Sequence, residues 1–169
     1  TLVLPNTYTR FSANTSDTSA SDGWVTSANS PSLAFDIATL PIGLITFSCL
    51  GSNTIGGNLP SDWKSMTYFR CEGSNTIGGN LPANWKSMTF FLCYGSNTIG
   101  GKLPADWKSV TYFNCRGSNT VDGITDGEYA GNGTMRYLRL NSDNNLGGLS
   151  AKDQEFLLIN KASRTWTGG

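Results

Sequence analysis

A stacked-repeat solenoid is the fold class this sequence predicts, and three observations predict it. Three 22-residue blocks begin at Cys49, Cys71 and Cys93 and read CLGSNTIGGNLPSDWKSMTYFR, CEGSNTIGGNLPANWKSMTFFL and CYGSNTIGGKLPADWKSVTYFN, with a fourth opening at Cys115 as CRGSNTVDGI. Apolar residues keep fixed places in each block, at Met66, Phe69, Cys71, Ile77, Leu81 and Trp85 in the copy written from Met66. A unit of this size cannot bury its own apolar face, whereas stacked units bury a continuous one. Only the two positions flanking each cysteine differ in every copy: Ser48, Arg70, Leu92 and Asn114 before it, and Leu50, Glu72, Tyr94 and Arg116 after it. A constant frame with two variable columns is the pattern expected of a binding surface.

Composition narrows the function classes. At 169 residues the chain is one domain's worth, and its 12 basic and 12 acidic residues balance without a basic run. Neither nucleic acid nor an anionic membrane surface has an electrostatic footprint to grip. No stretch of 18 apolar residues is present to span a membrane, and no signal-peptide pattern is visible. The chain opens on Thr1 and stops at Thr-Gly-Gly, which leads to the expectation of a piece of a longer protein or a processed form.

Read from Met66, a block gives M-x-x-F-x-C-x-x-x-N-x-I-x-G-x-L-P-x-x-W. This pattern resembles the leucine-rich repeat, L-x-x-L-x-L-x-x-N/C-x-L, and its tail is similar to the G-x-I-P-x-x-L segment of the subclass found in plant receptors. Asn75 falls one place later than the consensus asparagine and Trp85 stands where Leu is usual; both departures recur in register, so the turn after the strand is expected to be one residue wider. The resemblance implies a mainly β solenoid of the α/β horseshoe class. Its features would be a short parallel sheet on the concave side, irregular or 3-10 backbone on the convex side, and a capping helix at the C-terminal end.

Laid along the chain, this reading has residues 1–32 as an N-terminal cap or junction. Residues 33–149 form five to six repeats, and residues 150–169 a helical cap and tail. A weaker leading repeat covers Ile37 to Phe47, with Leu44 and Phe47 in the places of Met66 and Phe69. A degenerate last one runs from Met135 to Leu149, with Leu138, Leu140, Asn144, Leu146 and Leu149 at the frame positions. The Gly-rich stretch 121–133 is expected to be a longer convex loop. Ser150 and Asp153 form a variant capping box before apolar Phe156, Leu157 and Ile159, the signature of a short amphipathic helix.

The resemblance places Thr67 to Glu72 and its equivalents on concave strands. Alternation then sends Phe69 and Cys71 inward and leaves Tyr68, Arg70 and Glu72 facing solvent. Some five strands at a spacing of about 4.8 Å would make a patch roughly 20–25 Å across. The candidate ligand-binding residues are Ser48, Leu50, Tyr68, Arg70, Glu72, Phe90, Leu92, Tyr94, Tyr112, Asn114, Arg116 and Arg139.

The recurring columns have bland readings as well. Cys49, Cys71, Cys93 and Cys115 face the core as free thiols that behave as small hydrophobes. Cβ atoms on adjacent parallel strands lie side by side, which suits neither a disulfide nor a tetrahedral metal. Asn53, Asn75, Asn97, Asn119 and Asn144 are placed to satisfy backbone groups at each turn. Trp63, Trp85 and Trp107 are read as convex core, with a carbohydrate platform the lesser alternative. Flat threonine columns (Thr54, Thr76, Thr98, Thr120 and Thr46, Thr67, Thr89, Thr111) would suit ice binding, but bulky and charged neighbours interrupt the plane. Tyr68, Phe90, Tyr112 and Tyr137 fit both sheet stacking and an interface hot spot.

Catalysis has little to work with. The chain has no histidine, which excludes His-dependent triads, Cys–His pairs and His-ligated zinc, and no Gly-rich segment has the strand-to-helix context of a phosphate site. No metal or cofactor is expected. The reading is a non-enzymatic module that binds a protein or glycan ligand on a cell surface, extracellular or on a virion. Its blocks and terminal helix look like repeat proteins of bacterial surface adhesins or phage tail fibres, with a parent chain or fibre assembly as context. The alternative is a rigid spacer whose variable columns are unconstrained surface. The identity of Lys64, Lys86 and Lys108, and of Ser65, Ser87 and Ser109, across copies favours recognition, because free drift would scatter changes there too.

Overall fold

Each F-x-C motif becomes a four-residue strand, and the strands stack in parallel. The computed structural model describes residues 4–13, 23–25, 32–124, 137–140 and 165–166. The expected terminal helix from Ser150, the loop over 125–133 and Asn144 lie outside the described residues. The strands are β1 (Arg10–Ala13), β2 (Gly23–Val25), β3 (Thr46–Cys49), β4 (Tyr68–Cys71), β5 (Gly78–Asn80), β6 (Phe90–Cys93), β7 (Thr98–Leu103), β8 (Tyr112–Cys115), β9 (Thr120–Ile124), β10 (Tyr137–Leu140) and β11 (Thr165–Trp166). The main sheet has eight strands in the order β11-β10-β8-β6-β4-β3-β1-β2, and a second has the order β5-β7-β9. Every pairing is parallel.

Register follows the repeat. Phe47, Phe69, Phe91 and Phe113 are successive partners, as are Cys49, Cys71, Cys93 and Cys115. The phenylalanine rings stack at 5.0–5.1 Å between centroids, and Trp63, Trp85 and Trp107 stack beside them at 5.9 and 6.2 Å. All seven are fully buried. Stacked aromatic pairs add about 0.5–1.5 kcal/mol each beyond the area they bury, so the two columns form a continuous spine. The indole N–H groups of Trp85 and Trp107 donate to the Pro60 and Pro82 carbonyls of the preceding repeat, at 2.9 and 3.0 Å. The tryptophans are therefore core, as the repeat pattern implies.

Three features go beyond the sequence reading. The segment 1–32 contributes two strands to the main sheet: β1 pairs with β3, and β2 lies outside β1. Phe11 stacks on Phe47 at 5.2 Å and Trp24 on Phe11 at 5.0 Å, continuing the spine. A second sheet occupies ground expected to be irregular, and among the described residues 3-10 backbone is confined to Ile37–Thr39. Glycine permits this, since a Cβ on Gly78 would lie only 3.0 Å from the Thr98 hydroxyl, and one on Gly100 only 2.8 Å from that of Thr120. Finally, the stretch from Val121 is not loop throughout, because β9 extends to Ile124.

The asparagine ladder joins neighbouring turns. Asn53, Asn75, Asn97 and Asn119 are buried. The side-chain oxygens of Asn75, Asn97 and Asn119 accept from the backbone N–H of Ile55, Ile77 and Ile99 in the preceding repeat, at 2.8–2.9 Å. Their amide nitrogens donate within their own turns to the carbonyls of Glu72, Tyr94 and Arg116. The turn also requires a left-handed residue: Gly73 has φ 88°, and a Cβ there would collide with the Gly51 carbonyl of the turn below. On the entry side of each strand, the hydroxyls of Thr67, Thr89 and Thr111 donate to the carbonyls of Ile45, Thr67 and Thr89 at 2.9–3.2 Å.

The four cysteines are buried and free. Cys49 and Cys71 lie 3.6 and 3.7 Å from the side-chain oxygens of Asn75 and Asn97. Burial raises the pKa of all four thiols, in Cys49 from 9.0 to about 12. The unfolded chain releases these protons first, so their contribution to stability is whole below about pH 9 and falls as pH rises towards 12.

Replacing Asn75 by Ala leaves the buried Ile55 N–H without its acceptor and lowers unfolding free energy by about 1–3 kcal/mol. Urea denaturation checks this, with exposed Ser74→Ala as the near-neutral control. Because the thiolate is the reactive form, a thiol-labelling reagent at pH 8 modifies the native chain far more slowly than the chain in denaturant. Equal rates in the two states would contradict the buried cysteine column.

Candidate functional site

Alternation along β3, β4, β6 and β8 gives the concave face three columns. Thr46, Tyr68, Phe90 and Tyr112 form the first, Ser48, Arg70, Leu92 and Asn114 the second. Leu50, Glu72, Tyr94 and Arg116 follow each cysteine as the third. Of the twelve candidate residues, eleven come from these columns, and Arg139 lies on β10 in register with Asn114.

The first column is a ring stack. Tyr68 and Phe90, then Phe90 and Tyr112, are 4.6 Å apart with interplanar angles of 6° and 9°. That separation is close to the strand spacing, so the ring planes lie across the sheet. The faces cover one another and the edges are left towards solvent.

The second column corrects an expectation. Its residues were read as solvent-facing, yet Ser48, Leu92 and Asn114 are only 7%, 9% and 3% exposed. Strands this close let long side chains on neighbouring strands close over short ones. Asn114 is also tied down, donating to the Tyr112 hydroxyl at 3.3 Å and accepting from Arg116 Nε at 3.1 Å. Within this column Arg70 keeps its side chain 36% exposed.

A polar network crosses three repeats. Arg70 Nε donates to Glu72 Oε1 at 2.6 Å, and the Tyr94 hydroxyl donates to Glu72 Oε2 at 2.5 Å. The Arg116 guanidinium lies 5.3 Å over the Tyr94 ring, a cation–π contact worth about 0.5–1 kcal/mol at such a site. Asn114 then links Arg116 to Tyr112. The Glu72 side chain is only 14% exposed, so its charge is held within the protein. Burial works against the Arg70 charge, but the hydrogen bond and charge of Glu72 outweigh it and hold the pKa above the ordinary guanidinium value. The same carboxylate, by accepting the Tyr94 proton in a hydrogen bond, raises the phenol's pKa. Both groups therefore keep their neutral-pH protonation states, and the side chains are fixed before any ligand arrives.

The sequence reading overlooked part of this face. Arg10 and Ser12 on β1 stand in register with Thr46 and Ser48 and prolong the first two columns. The signal was present, because Arg-Phe-Ser-Ala at 10–13 matches Thr-Phe-Ser-Cys at 46–49 in its inward phenylalanine and small final residue. Away from the face, Lys86 pairs with Asp106 of the next repeat at 2.9 Å, while the equivalent of Asp106 one repeat earlier is the uncharged Asn84. Among the described residues no group of three or more His, Cys, Asp or Glu is arranged to hold a metal ion, and no helix is long and apolar enough to cross a membrane.

No family model matches the sequence, and no curated protein matches it. Among solved structures, the chain is similar to the plant peptide hormone receptor RGFR1 in complex with RGF2, at 15% identity and a TM-score of 0.43 over 65% of this chain and 23% of that one. It is also similar to PEPR1-AtPEP1, at 16% identity and a TM-score of 0.40 over 82% and 27% of the two chains. A leucine-rich-repeat protein of Leptospira interrogans gives 17% identity and a TM-score of 0.38 over 75% and 37%. This chain thus spans about a quarter to a third of the length of these proteins. With its 22-residue period, in-register parallel strands and asparagine ladder, the chain folds as a parallel-stranded solenoid, consistent with the leucine-rich-repeat pattern that its sequence resembles.

Proposed function

We propose that the chain is a non-enzymatic recognition module that binds a protein ligand through its concave face. The observation that carries this reading is the network from Arg70 through Glu72, Tyr94, Arg116 and Asn114 to Tyr112. Its members come from three successive repeats and largely from the two columns in which every copy differs. Side chains already held in one arrangement lose little freedom on binding, which favours affinity. Aromatic and arginine side chains on one surface are also the chemistry of interface hot spots.

On this reading Leu50, Tyr68, Arg70, Phe90, Tyr94, Tyr112 and Arg116 touch the ligand. Glu72 and Asn114 position the arginines and Tyr94, and the covered Ser48 and Leu92 support the rungs. Arg139 continues the second column. The parent assembly we infer is a surface adhesin or phage receptor-binding protein, extracellular at a cell surface or on a virion, in which a stiff array presents one face to its target.

The test is a panel of intact bacterial cells, purified surface proteins and purified surface glycans at physiological salt, probed with the chain and with a variant carrying Arg70→Ala, Tyr94→Ala and Arg116→Ala. A saturable protein hit that the folded triple variant loses by about 100-fold or more is the expected outcome. A hit retained in full by that variant would remove the concave face from the site.

A further inference from the structure

The charge and the ring geometry of the concave face specify its partner more closely than the fold does. In a chain whose charges balance overall, the three columns over β3, β4, β6 and β8 carry two arginines, Arg70 and Arg116, and, among the described residues, one carboxylate, Glu72. Glu72 already accepts from both Arg70 and Tyr94 and is largely covered. Arg116 has no carboxylate in the network, as its Nε donates to an uncharged amide. In both Arg70 and Arg116 the network bond is made through Nε. The terminal fork of each guanidinium is then the part that can grip an incoming carboxylate in bidentate fashion.

The aromatic column adds to this preference. An aromatic ring is negative on its face and positive along its edge. Phe90 has both faces covered, and Tyr68 and Tyr112 have one each covered by it. Phe90 therefore offers a partner only its edge, and the edges of Tyr68 and Tyr112 continue the same line. Sugar rings bind aromatic side chains by lying on the face, so the stack is poorly suited to a glycan and well suited to anionic groups.

Resting on the recognition reading above, we infer that the partner is an acidic segment of polypeptide, its carboxylates held by Arg70 and Arg116 and lying along the edges of Tyr68, Phe90 and Tyr112. Arg70 on β4 and Arg116 just past β8 are two strands apart across the sheet and two residues apart along it, roughly 12 Å. Two acidic residues three or four apart in an extended chain span about the same distance, roughly 10–14 Å.

Selection of a displayed library of random dodecapeptides on the immobilised full chain tests this directly, with polygalacturonate as an anionic glycan probe. Enriched peptides should carry paired acidic residues, weaken as salt rises, and bind the Arg70→Gln, Arg116→Gln variant about 100-fold more weakly. Arg70→Lys with Arg116→Lys keeps the charge and removes the fork, and should also weaken binding, by about tenfold. This second pair serves if the glutamine variant does not retain the parent's circular dichroism and thermal midpoint. Peptides without acidic enrichment that are still lost in the triple alanine variant would overturn the acidic partner and leave the recognition module standing. Binding of polygalacturonate with no peptide enriched would replace polypeptide by glycan. Peptides indifferent to every substitution on the face would overturn both readings.

Discussion

Each repeat must lie on a copy of itself at the spacing of hydrogen-bonded strands, and nearly every other feature answers to that constraint. A residue in a column has the same kind of residue above and below it at about 4.8 Å. Flat rings satisfy this by stacking, as in the phenylalanine and tryptophan columns. Asparagine satisfies it by accepting from the turn below while donating within its own. Threonine does so through the carbonyl of the preceding strand. Where even a methyl group would strike the neighbouring backbone, the position is glycine, as at Gly73.

The concave face inherits this order. Because the frame columns repeat without a shift in register from β3 to β8, side chains from different repeats meet in a predictable grid, and a network three repeats long can form from residues far apart in sequence. Glu72 and Tyr94 are separated by 22 positions yet share a short hydrogen bond. The core supplies rigidity and the grid supplies placement. The chemistry of the face then depends on a few substitutions in two columns.

The repeated parts of this structure were legible in the sequence because repetition amplifies a weak local signal. The inward phenylalanines and cysteines, the asparagine ladder and the buried tryptophans all follow from their spacing. Features that occur once were harder to read. The motif of β1 stands 36 residues before its partner β3 without a block between them, and β2 packs outside β1, so sheet order reverses chain order there. The second sheet was masked by composition: Thr-Ile-Gly-Gly reads as a turn, since glycine is depleted in strands, and only the stacked neighbours make extended backbone favourable. The low exposure of Ser48, Leu92 and Asn114 was illegible for another reason, as it depends on the length of side chains on adjacent strands.

The same stacking limits how such an array can grow. A block copied without change would set every charged side chain beside its duplicate, and like charges directly opposite on neighbouring strands are destabilising. On the exposed turns this is tolerated, and Lys64, Lys86 and Lys108 recur at one position, each exposed to solvent. On the half-covered face it is not repeated: Arg70 lies between Ser48 and Leu92, and Tyr94 stands between Glu72 and Arg116. Duplication therefore creates an immediate pressure for the new copy to diverge at the columns that face a partner. Placing an uncharged residue beside each charged one in these columns thus serves the stability of the array itself as well as any surface it presents.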